Sequence, residues 1–257
     1  MNKIILLFIL FISNYSFAIL TTNPDSIRGA LRPERLCFDV TFYDLSVNID
    51  PLKKIISGQN DIYFTCLKRS KTIQIDLFRQ YEIKSIYLHV PIDSTGLDEV
   101  LPVNFKKIED ALFISFTDSL IPGDNYKLRI VYHGYPNSAK NAPWDGGFVW
   151  EKDSLNRHFC GVACEGWGAS SWWPCKDHLS DEPDSMKLTF VVPEGYQCIS
   201  NGQFIEKTQI REDDKTYEKY ARKVTYPINT YNVSFYIGKF EKIQDWYISG
   251  KDSLKTE

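Results

Sequence analysis

A chain of 257 residues, 43% apolar and 14% aromatic, carries ample material for a sizeable core, as one large all-β domain or two small ones, and falls outside the disordered class. Its net charge of −3 and pI near 5.9, with Lys and Arg scattered, leave no electrostatic footprint for nucleic acid and exclude a mainly charge-driven partner.

Residues 1–18 read as a signal peptide. Lys3 precedes the unbroken apolar run Ile4–Ile12, and Ser16-Phe17-Ala18 offers small residues at −3 and −1 of a cleavage site. That run is shorter than the roughly 20 residues that span a bilayer, which favours a cleaved signal over an anchor. The residue directly after Ala18 is Ile19 and not Cys, so a lipoprotein is not indicated, and no later segment is apolar enough to cross a membrane. The mature chain is expected to be exported, to a periplasm or the extracellular space. There, disulfides are permitted among Cys37, Cys66, Cys160, Cys164, Cys175 and Cys198, with the pairing left open.

Residues 19–36 have Pro, Gly and charges without a period and read as an extended leader lying on the body. From Cys37 apolar residues alternate, and the alternation slips by one near Phe42-Tyr43, the signature of a β-bulge. Pro51-Leu52-Lys53-Lys54 is a turn, and 55–67 returns as the second strand of a hairpin. Strands are expected at 72–77, 82–90, 103–107, 111–116 and 126–133, and a Pro/Gly/Asn loop at 134–147. Further strands are expected at 148–151, 157–163, 185–192, 197–200, 217–225 and 231–240, with Asn201-Gly202 as a turn. No stretch holds a 3.6-residue apolar period over three turns. The pattern predicts an all-β sandwich or open curved sheet over 37–245.

Between two of these strands lies Gly161–Pro183, GVACEGWGASSWWPCKDHLSDEP, which has neither the helical nor the strand period. A loop this rich in Trp is no passive connector, and the chemistry is sought here. Cys160, Cys164, Cys175 and His178 have the right types for zinc. However, Cys-x3-Cys on a strand would spread its thiols about 13 Å apart, and an exported protein would sooner oxidise them. Glu165, Asp177, Asp181 and Glu182 beside aromatic residues could form a glycosidase carboxylate pair, but nothing fixes their separation. There is no G-x-S-x-G and no H-E-x-x-H, and His89, His133 and His158 lie in or at the ends of strands. No catalytic set is complete within the chain, and no metal site is expected in it.

These residues resemble the amino-terminal domain of the aminopeptidase N family of zinc metallopeptidases. Residues 39–50, Ile56-Ser57-Gly58 and Ile62-Tyr63-Phe64 look like the family's opening hairpin, and Ile73–Leu77 like its third strand. Trp172-Trp173-Pro174-Cys175-Lys176-Asp177, with Asp181-Glu182-Pro183 after four inserted residues, resembles the Pro-Cys-x-Asp-Glu-Pro signature in the form of one bacterial branch. Val191-Val192-Pro193 and Ser200-Asn201-Gly202 resemble the family's next stretch of chain. The resemblance implies a saddle-shaped β-sandwich that caps a separate catalytic domain. It also implies that Glu165 helps to hold the free amino group of a peptide substrate's amino terminus, where a carboxylate beside an ammonium gains a charge-assisted hydrogen bond. The Gly-x-Met-Glu-Asn motif and the H-E-x-x-H helix are absent, and the methionines are Met1 and Met186. Zinc is therefore expected in a full-length family protein and not in this chain, which is expected to be inactive alone. Residues 246–257 are expected to begin a linker to the missing catalytic domain of the same polypeptide, the chain being a fragment or a truncated product. The alternative is a stand-alone exported binding module for peptide or carbohydrate, with Trp144, Trp150, Trp167, Trp172 and Trp173 as its platform.

Overall fold

The computed structural model describes residues 24–91, 98–142, 144–164, 166–250 and 252–256. The expected signal peptide at 1–18 lies outside them. Two short helices come first, α1 (Pro24–Gly29) and α2 (Pro33–Leu36). The region expected as an extended leader is thus helical over these residues. Each helix opens on a proline, whose fixed φ suits a first helical turn and whose missing N–H costs nothing there.

The hairpin β1 (Phe38–Asp50) and β2 (Ile55–Cys66) follows, then β3 (Ser70–Asp76), β4 (Tyr81–Pro91), β5 (Asp98–Pro102) and β6 (Asn104–Ile108). After these come β7 (Ala111–Leu120), β8 (Asn125–Gly134), β9 (Gly147–Lys152) and β10 (His158–Ala163). Beyond the Trp-rich segment lie β11 (Ser185–Pro193), β12 (Gln197–Ser200), β13 (Gln203–Glu212), β14 (Lys215–Val224) and β15 (Phe235–Gly238). A last hairpin pairs β16 (Asp245–Ser249) with β17 (Asp252–Thr256), where a linker was expected. Its turn begins at Gly250, φ +62°, a conformation that glycine adopts without strain.

Eight strands form a mixed sheet in the order β13-β14-β11-β1-β2-β8-β4-β5, and β12-β15-β10-β9 and β3-β7-β6 form two smaller sheets. One face of the large sheet is apolar. Tyr43, Leu45, Val47 and Ile49 of β1 alternate inward, beside Leu128 and Ile130 of β8 and Leu188 and Phe190 of β11. Ile73 and Ile75 of β3, Leu112 and Ile114 of β7, and Phe235 and Ile237 of β15 join the same continuous core. Phe190 meets Phe235 across the layers with ring centroids 5.4 Å apart. The architecture is a β-sandwich, as the alternation predicts.

The bulge sits between Val40 and Phe42, so the extra residue is Thr41, one position from the slip seen in the sequence. Its carbonyl accepts the Asp184 N–H at 3.0 Å, where the parallel pairing of β11 with β1 begins at Phe42 and Ser185. The bulge therefore frees a backbone group that moors the far end of the Trp-rich segment. All six cysteines are buried and unpaired.

Candidate functional site

The Trp-rich segment leaves the small sheet at the end of β10 and re-enters the large sheet at β11, passing through the core on the way. Trp172 and Trp173 are fully buried. Trp172 packs edge-on against Phe235 at 5.3 Å, and Trp173 against Tyr43 at 5.0 Å and 89°. These two rings cannot serve a ligand platform, because they fill the space between the layers. Trp150 and Trp167 are half-buried against the same core, and of the five only Trp144 stands out in solvent.

A segment without regular structure must satisfy its backbone groups individually. Asp76 and Cys175 exchange two backbone hydrogen bonds, of 2.8 and 3.1 Å, as an isolated antiparallel bridge. The Phe78 N–H donates to the Ser170 carbonyl at 2.9 Å, the Tyr81 hydroxyl to the Ser171 carbonyl at 2.9 Å, and Asn60 Nδ2 to the Pro174 carbonyl at 2.8 Å. The Tyr43 hydroxyl accepts the Lys176 N–H at 3.1 Å. β1, β2, β3 and the stretch from there into β4 thus carry the polar hooks that hold this segment.

The signature residues divide by role. Trp172, Trp173, Pro174 and Cys175 are core. Asp177 Oδ2 accepts from the Ser170 N–H at 3.0 Å and from its hydroxyl at 2.6 Å, capping the 3-10 turn Ala169–Ser171. Asp181 is buried in an ion pair with Lys176, whose ammonium also donates to the Phe38 carbonyl at 2.6 Å and lies 4.5 Å above that ring. Glu182 is exposed and Pro183 buried. Asp177 and Asp181 are thereby occupied within the segment by partners of their own.

Beneath these lies a carboxylate that the sequence reading passed over. Asp76, fully buried at the end of β3, pairs with the equally buried Arg35 of α2. It also accepts from Gln74 Nε2 at 2.8 Å and from the Asp177 N–H at 3.1 Å. Burial pushes its carboxyl up to about 6, against the downward pull of Arg35. Only an acid between Ile75 and Leu77, in a stretch where polar and apolar residues alternate, hinted at it in the sequence.

Zinc is the metal that the resemblance implies, and Cys160, Cys164, Cys175 and His178 do not fit it. Zinc takes thiolates, whereas burial pushes the Cys164 thiol up to about 12 and the Cys160 and Cys175 thiols well above their ordinary value. His178 turns Nδ1 to the Ser180 hydroxyl at 2.8 Å and N–H at 3.1 Å. Burial, with Arg35 and Lys176 nearby, holds its ring below the usual histidine range. Among the described residues no three His, Cys, Asp or Glu side chains gather as a cage.

Glu165, the expected amine-binding residue, lies outside the described residues. On one side of it Cys164 is buried. On the other Gly166 is exposed at φ +68°, and Trp167 tilts against Phe78 at 5.8 Å.

The chain matches known proteins at two levels. A model of the peptidase M1 N-terminal domain covers residues 40–231. Among solved structures it is similar to a two-domain M1 zinc metallopeptidase bound to L-arginine, with a TM-score of 0.65, 20% identity, and coverage of 86% of this chain and 47% of that one. The M1 zinc metallopeptidase from Deinococcus radiodurans bound to a Tyr-Ser-Ala substrate gives 0.65, 19%, 86% and 47%. A further structure of that enzyme gives 0.64, 20%, 85% and 46%. None of the curated proteins matches. The chain spans about half the length of the solved structures it matches, and at this identity the likeness speaks for the fold. The family model covers well over half of the sequence, and on that ground the chain belongs to the family of M1 peptidase N-terminal domains.

Proposed function

We propose that this domain is the amino-terminal cap of an exported zinc aminopeptidase, in which it forms one wall of the substrate pocket and Glu165 binds the free amino group of a peptide. The observation that carries the reading is the family match over 40–231, joined to the build of Gly161–Pro183. That segment is rooted by buried Trp172 and Trp173 and turns to the surface at Gly166, next to Glu165. A loop with a fixed base and an exposed end suits a contact made to a substrate held by another domain. The M1 zinc metallopeptidase similar to it was solved with a Tyr-Ser-Ala substrate, which is the class of ligand proposed here. Hydrolysis needs a metal-activated water. Cys160, Cys164, Cys175 and His178 do not fit zinc, and in the proposed enzyme the metal and the general base belong to a catalytic domain of the same polypeptide. Export rests on Lys3, the apolar run Ile4–Ile12 and Ser16-Phe17-Ala18.

The test is metal content and turnover of an unblocked aminoacyl reporter. The purified chain alone is expected to show neither stoichiometric zinc nor turnover. Joined to a zinc-binding catalytic half, it is expected to turn over. There, Glu165→Ala should raise KM roughly tenfold or more, as expected for loss of a hydrogen bond to a charged group. Turnover by the isolated chain with bound zinc would overturn the reading.

A further inference from the structure

We infer that the segment preceding β1 is a strap that positions the exposed turn of the Trp-rich segment, and that Arg28 is the positioning residue. The guanidinium of Arg28 donates through Nη2 to the Trp167 carbonyl and stands 3.8 Å from Asp177 Oδ2. Its central carbon lies 4.8 Å over the Phe78 ring, against which Trp167 also packs. One side chain thus touches the turn, the carboxylate that caps it and the aromatic residue beneath it.

The strap is itself fixed. The Arg28 carbonyl accepts from Arg35 Nη1, and Arg35 pairs with Asp76. The Ile27 carbonyl accepts Gln74 Nε2 at 3.1 Å, and the same amide donates to Asp76 at 2.8 Å. Asp76 in turn holds the Asp177 N–H. Strap, β3 and signature therefore close a ring of contacts around one buried carboxylate, and Arg28 is the member that reaches out of this ring to the turn.

The turn needs such a tether. Gly166 and Gly168 sit at φ +68° and +78°, in the left-handed region, where glycine carries the largest conformational entropy to be frozen. Apart from Arg28, its backbone is tied by the Trp167 and Gly168 N–H groups, which share the Cys164 carbonyl at 3.1 and 2.9 Å, and by the Gly168 carbonyl, which accepts the Ser171 hydroxyl at 2.7 Å and the Ser171 N–H at 3.3 Å. The effect on substrate rests on the function proposed above, through Glu165 next door; the positioning of Trp167 does not.

Hydrogen exchange of the full chain, read at the Trp167 and Gly168 amides, tests this against Arg28→Ala and Arg28→Lys. With Arg28→Ala these two amides are expected to exchange about tenfold faster or more, as expected for a lost charged hydrogen bond. The ladder amides of β1 and β2 should keep their wild-type rates, and Arg28→Lys should recover part of the protection. Unchanged rates at Trp167 and Gly168, or an equal rise across the whole protein, would overturn the positioning role. In the chain joined to a catalytic half, Arg28→Ala should raise KM with kcat little changed. Faster exchange with an unchanged KM would leave the strap standing and sink the substrate role of the neighbouring loop.

Discussion

At the scale of single residues, the tryptophans and the buried acids are where chemistry and architecture compete, and burial decides for architecture. Trp173→Ala should cost about 3–5 kcal/mol in urea unfolding, as for other large aromatic residues removed from a core. A surface platform residue would cost almost nothing. Asp76 gives a pH test with a definite sign. Its carboxyl titrates at about 6 in the folded chain against an ordinary value of 3.8, so the folded form holds the proton more tightly. Its contribution to stability is then full below about 3.8 and is lost as pH rises through about 6. The unfolding free energy of the wild type minus that of Asp76→Asn should therefore fall between about pH 4 and about pH 6. A difference that rises across this window would mean that the Arg35 ion pair outweighs desolvation. Neither burial was visible residue by residue, because Trp-Trp and Ile-Asp-Leu read alike in a core and on a rim.

At the scale of elements, the strands followed their alternation where one face meets the core and escaped it elsewhere. β1, β2 and β8 were legible because one side of each is buried, and β11 as an apolar run buried on both faces over 188–192. β13 is exposed along nearly all of its length, so it carries no period-2 signal and was missed. The 231–240 strand is shorter than expected, since Thr230–Asn232 form a 3-10 turn before β15. The Trp-rich segment hangs on its turns. An added Cβ on Gly168, at φ +78°, would overlap the Asp177 carboxylate. Gly168→Ala should cost about 1–3 kcal/mol through backbone strain, with a loss of the Asp177 cap visible in the exchange of the Ser170 amide. Wild-type stability in this variant would mean that the turn can be rebuilt without that cap.

At the scale of the molecule, one core joins three sheets, and no described residue of the β16–β17 hairpin belongs to it. The side chains of β16, including Trp246, Tyr247 and Ile248, are exposed, and a two-stranded hairpin is marginal by itself in water. Ending the chain after Gln244 should shift the unfolding free energy by no more than about 0.5 kcal/mol. A larger loss would show that the hairpin docks on the body in solution.

The sequence by itself determined the fold class, the bulged opening hairpin, the turns and the family, because alternation and turn chemistry are local and the Trp-Trp-Pro-Cys motif is written in consecutive residues. The tertiary structure decided which groups the motif leans on. Arg28, Arg35, Gln74, Asp76 and Asp177 meet from distant parts of the chain, and their pairing follows from the low-dielectric interior that encloses them. A linear pattern holds no record of that enclosure. It came only when β3 and the two leading helices closed over the segment between β10 and β11.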